Sequence, residues 1–275
     1  MAEKLLHLDR RIIFAILFVV VVVSLFWAVE LPFEASAQVR TAYSLIQDLP
    51  KGSIVMMSFD YGPSTGPEIQ PTARAIARQC FKNGLYVIGM CIWNEGEPYI
   101  RSTLGPAAEE FGKKEDVDYV NLGYKWGGPT GAGVLEGMGK NIAEVFPATR
   151  MGTAFHEVPF LKDVHDYKSI KLIASLSAGK PGLKEYLQMV HSRYNIPILG
   201  ACSAVTAPEM FPLLNSGQLS GLVAGMIGGS EYLVLMGERE SSKTMIFAQS
   251  VFHFVILGFI IFGNILYFIA RSKKT

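Results

Sequence analysis

The side chains best suited to chemistry gather in five short stretches rich in glycine, proline and hydroxyls. These are FDYGPSTGPE (59–68), IWNEGEP (92–98), GYKWGGPTGAG (123–133), SLSAGKPG (175–182) and ACSAVTAPE (201–209). Together they offer Asp60, Ser64, Thr65, Glu68, Glu95, Lys125, Ser175, Ser177, Lys180, Ser203 and Thr206. Asp60 and Glu95, on neighbouring strand ends, could act as a paired acid and base. With Ser64, Thr65, Lys125, Ser177 and Ser203, and with N–H groups at helix starts, the same stretches would suit a polar or anionic small molecule. The structural reading stands beside this one, because tight strand-to-helix turns need glycine, proline and capping hydroxyls for their own sake.

Cofactor signatures are missing. In GPTGAGVLEGMGK, Gly131 and Gly133 are followed by Glu136 where a dinucleotide fingerprint needs glycine, and no lysine–hydroxyl pair completes a phosphate loop. His156 and His165 have no ligand-like spacing to carboxylates, so no metal is assigned. No cofactor or catalytic residue follows from the sequence. A net charge of +1 gives no general attraction to nucleic acid.

The elements that must position these residues are apolar runs separated by helical stretches. Runs at 52–60, 85–92, 117–124, 169–177 and 196–204 are continuous rather than alternating, as expected of strands buried on both faces. Helices are expected at 71–84, opened by Pro71 and stopped by Gly84, and near 104–113, 134–145, 181–195 and 208–217. The alternation predicts a three-layer α/β domain over 51–240, Rossmann-like or flavodoxin-like, with a mostly parallel sheet of about five strands. Ligands in such sheets bind outside the carboxyl ends of the strands. Residues 126–167 form a structured excursion, and 30–50 a linker with one short helix.

In GQLSGLVAGMIGGSEYLVLMG (217–237), Gly217, Gly221, Gly225 and Gly229 recur every four residues. The spacing predicts one face of a helix made for close backbone contact, within the domain's own layers or against another subunit. A third membrane span is the remaining reading.

The ends carry long apolar runs, 12–29 and 245–270, of 18 and 26 residues without a charge. Both lengths suit a bilayer. Lys4, Arg10 and Arg11 precede the first, and Arg271, Lys273 and Lys274 follow the second, which predicts that 1–11 and 271–275 are cytoplasmic and the domain extracytoplasmic. Ala35 and Ala37 leave a cleavable signal open as an alternative to an uncleaved anchor. Gln249, His253 and Asn264 fall on one stripe of the second run, expected to face another helix rather than lipid. Expected partners are therefore membrane lipid, a homo-oligomer or other membrane subunits, and a small anionic ligand. Cys80, Cys91 and Cys202 read as buried free thiols. Function on this basis is a non-catalytic binding or scaffold component of a membrane complex, with an extracytoplasmic hydrolase-like enzyme or an anionic-ligand sensor as alternatives.

Overall fold

Seven successive buried residues, IVMMSFD, form β1 (Ile54–Asp60) near the middle of a six-stranded sheet in the computed structural model, which describes residues 9–26 and 34–272. The other strands are β2 (Tyr86–Cys91), β3 (Tyr119–Tyr124), β4 (Ile170–Ser177), β5 (Ile198–Cys202) and β6 (Gly221–Ala224). All neighbours pair in parallel, in the order β3-β2-β1-β4-β5-β6. The chain builds outward from β1 to β3, then returns to lay β4 on the other side of β1. That reversal makes the β1–β4 junction the switch point of the sheet, where a doubly wound fold opens a crevice.

Helices cover both faces. Alternate residues Val55, Met57 and Phe59 of β1 join a core with α2 (Ala37–Gln47), α3 (Gly66–Lys82), α4 (Glu97–Glu110) and α9 (Gly225–Leu235). Ile54 and Met56 join a second core with α5 (Ala132–Lys140), α6 (Ile142–Val145), a helical run α7 (183–194) and α8 (Ala207–Asn215). A π-turn, Leu187–His191, interrupts α7. Phe155, Val158, Leu161 and Tyr167 of the expected excursion plug the second core. Cys80, Cys91 and Cys202 are free and buried.

Pro71 does not open its helix: α3 begins at Gly66 with Pro67 in its first turn, and Pro71 lies inside. Proline so close to the start removes only one N–H, whose partner would have been the Pro67 carbonyl. The stop is as expected, since Gly84 (φ +69°) donates to Phe81 O while Leu85 donates to Cys80 O. The short helix expected within 30–50 is α2, whose Val39, Ala42 and Ile46 are fully buried in the core of the α/β unit.

The glycine ridge is not one helix. Gly217 (φ +77°) lies in a turn, Gly221 starts β6, Gly225 (φ +63°) is the strand-to-helix corner, and Gly229 lies in α9. Two of them need left-handed backbone, which an α-helix forbids. Close approach is nonetheless present within this unit: a Cβ on Gly221 would lie 2.8 Å from Ala42 Cα, and one on Gly229 2.5 Å from Thr72 Oγ1.

The terminal segments form a unit separate from Glu34–Gly237. Its helices are α1 (Arg10–Phe26) and α10 (Arg239–Ser272). They pack together, with Ser24 and Leu266 buried. Among the described residues one stretch, Ser250–Ile269, is long and apolar enough to cross a membrane, with a mean hydropathy of 2.2. The first predicted span, 12–29, is described over 12–26, within the 17-residue helix Arg10–Phe26. Residues 1–8, 27–33 and 273–275, which include the outer basic residues Lys4, Lys273 and Lys274, lie outside the described residues, as does the Gln249 side chain. On α10, His253 stands edge-on to Phe252, and Asn264 Nδ2 donates to Ile260 O of its own helix at 2.8 Å.

Candidate functional site

Asp60 ends β1 at the switch point, paired across the sheet with Ser177 of β4. The even-numbered positions of β1 face α7, so Ser58 and Asp60 share that face. Asp60 is closed to solvent (0%) and fully bonded. Ser58 Oγ donates to its Oδ2 at 2.5 Å, Ile92 N–H donates to its Oδ1 at 2.8 Å, and Tyr186 Oη of α7 donates to Ser58 Oγ at 2.7 Å. Burial is the main influence on the carboxyl and pushes it up to about 7; the Ser58 hydroxyl and the Ile92 and Trp93 N–H groups pull the other way, and Glu185 adds to the rise.

The surrounding loops are fastened to one another. Trp93 Nε1 reaches over the end of β1 to donate to Pro181 O at 2.6 Å. Gly96 sits so tightly that a Cβ would come within 1.8 Å of Phe59 O, and one on Gly182 within 1.9 Å of Ser177 Oγ. Glu68 Oε1 accepts from Ala204 N–H at 2.6 Å, and Thr206 Oγ1 donates to Ala178 O at 3.2 Å. Glycines at 96 and 182 are therefore required by close approach, while carboxylates and hydroxyls pin strand ends 1, 2, 4 and 5 together.

The sequence-predicted residues divide accordingly. Asp60 and Ser177 are buried, and Ser177 Oγ donates to Gly179 O at 3.1 Å. Ser203 is buried, its hydroxyl 3.1 Å from Thr206 Oγ1 at the start of α8. Thr65 donates to Gly62 O at 3.4 Å at the start of α3. Ser64, Glu95 and Lys125 are exposed, and among the described residues no hydrogen bond joins their side chains to another group. Glu95 lies over Gly62 rather than beside Asp60. The paired acid–base arrangement is thus not formed: one carboxylate is sealed in and the other is in solvent.

The helix start after β1 has its donors engaged. Thr65 and Gly66 N–H both go to Gly62 O, Glu68 and Ile69 N–H both go to Thr65 O, and Pro67 has none. An anion arriving there would meet Glu68 instead of free N–H groups. Among the described residues no group of three or more His, Cys, Asp or Glu side chains is placed to hold a metal.

Gly62-Pro63-Ser64-Thr65-Gly66 spells G-x-S-x-G between a strand and a helix, the setting of a hydrolase nucleophile elbow. Its geometry is different: an elbow strains its serine, whereas among the described residues only Asp116 and Asn195 are non-glycines with positive φ. Ser58, Trp93 and Tyr186 carry more of the rim than Ser64 does. Only Ser58 had a readable signal, its two-residue spacing from Asp60.

A groove of about 820 Å³ runs beside α4, lined by Glu97, Arg101, Asn121 and Arg150 among others, with Arg150 and Glu97 paired at 2.8 Å. Comparison with protein-family models, curated proteins and solved structures finds no match to this chain.

Proposed function

We propose that this chain is a membrane-anchored, Rossmann-like α/β unit that serves as a non-catalytic binding or scaffold component of a membrane complex. Two spans hold it, with both ends cytoplasmic and the α/β unit outside, and the spans meet further copies or other subunits. The observation that carries the reading is the Ser250–Ile269 stretch, whose Phe254, Leu257, Ile261 and Phe268 stay more than half exposed and need lipid or another helix to cover them. The non-catalytic part is supported by the engagement of Asp60, Glu68 and Thr206 as staples, and by Ser64 lacking a hydrogen-bonded base among the described residues.

Single cysteines test the arrangement cleanly, because the native thiols are buried. In intact cells an impermeant maleimide should label Ser64→Cys but spare Lys4→Cys and Lys273→Cys, and the chain should stay in the membrane pellet after alkaline carbonate. Mass measurement in detergent should give more than one copy or a co-purifying subunit. A monomer without partners would remove the scaffold role, and labelling of Ser64 by a fluorophosphonate would replace it with the hydrolase.

A further inference from the structure

A cluster of buried polar side chains at the switch point exceeds what the fold requires. Ser58 lies opposite Ser175 and Asp60 opposite Ser177 across the β1–β4 pair. All four are shut off from water, as is Tyr186, and Ser175 Oγ has no hydrogen-bond partner among the described residues. A buried carboxylate without a cation costs stability, so its presence among these sealed hydroxyls calls for a reason.

The bonds around Asp60 can run in either direction. In the ionised form Tyr186 donates to Ser58, and Ser58 donates to Asp60 Oδ2. When a solvent proton is placed on Oδ2, the acid donates to Ser58 Oγ, Ser58 turns its hydrogen to Tyr186 Oη, and Tyr186 turns to Met90 Sδ, 3.9 Å away. One proton is gained, two hydroxyls rotate, and no heavy atom needs to move. The neutral chain is as fully bonded as the ionised one.

The cluster is also tied to the rim. Asp60 Oδ1 holds Ile92 N–H, and the adjacent Trp93 holds Pro181 O. The loop over 92–96 therefore covers the carboxyl, and lifting that loop lets water in. We infer that Asp60 is a proton-operated latch on the crevice between β1 and β4: its neutral form keeps the loops after β2 and β4 closed, and its ionised form favours their opening.

The groups that face it give no counter-charge. Cys91 comes from β2, Tyr61 from just beyond β1, and Glu185 and Tyr186 from α7; each opposes ionisation of Asp60 or is opposed by it. Burial keeps the closed-state carboxyl titrating at about 7, while an opened, hydrated one returns to the ordinary range. Opening therefore releases a proton and is favoured as pH rises toward 7.

Hydrogen–deuterium exchange of the full chain in detergent micelles, followed from pH 5 to 8 and corrected for intrinsic exchange, tests the latch. Protection of amides in 91–97 and 178–186 should fall by about tenfold per pH unit up to neutrality and then level off. Asp60→Asn should flatten this dependence. Ser58→Ala removes a donor to the ionised form, so the levelling point should move to higher pH. A wild-type profile as flat as that of Asp60→Asn, or a fall that Asp60→Asn retains, overturns the proposal. If Asp60→Asn does not fold, a levelling point unmoved by Ser58→Ala overturns it equally.

Discussion

The indole of Trp93 and the carbonyl of Pro181 meet at 2.6 Å across the end of β1, joining the loop after β2 to the loop after β4. Those two strands flank β1 and do not touch each other. The bond therefore closes the crevice that a doubly wound sheet ordinarily leaves open at its switch point.

Trp93→Phe keeps most of the ring and removes the donor. The Pro181 carbonyl, partly buried, loses its partner, and the chain should be destabilised by about 1 kcal/mol, read as a lower midpoint in chemical denaturation. A midpoint unchanged from wild type would mean that water replaces the indole without loss.

A glycine of this rim is fixed by close approach alone. Gly96→Ala would push a methyl to within 1.8 Å of Phe59 O although its backbone (φ −76°) suits any residue, so a loss of roughly 2 kcal/mol or more, or failure to fold, is expected. A thermal melt of the variant that matches wild type would mean that the loop shifts without cost.

Stability should fall as pH rises from about 4 to 7. The folded Asp60 carboxyl is raised from 3.8 to about 7, so the native state holds a proton that the unfolded chain has already released. The linked stability is fully present below pH 3.8, is lost as pH rises through the folded value, and amounts to at most roughly 4 kcal/mol. Asp60→Asn should shallow the slope of melting temperature against pH over this range. An equal slope in both proteins would place the effect elsewhere.

Five of the strands were legible because each is an unbroken apolar run ending at a polar loop, as in IVMMSFD and IKLIASLS. The sixth was not. GLVA has four residues, and its glycine fits against Ala42 of α2, a contact 179 positions away in sequence that no local pattern announces. The period of four linking Gly217 to Gly229 came from a turn, a strand, a corner and a helix that happen to share a spacing. At the site, the strand-end rule located Asp60 correctly. It could not reveal that Asp60 faces inward, because that depends on Tyr186 arriving from α7 and on Trp93 closing over it.

The three sealed cysteines have a consequence for where this protein can live. Burial pushes the Cys80 and Cys202 thiols up to about 12, and Cys91 higher. At neutral pH only about one such thiol in 10⁵ is a thiolate, the form that attacks disulfides and peroxides. An odd set of cysteines would ordinarily invite mispairing in an oxidising compartment; sealed as they are, these three serve as inert packing, and a redox couple has nothing to grip.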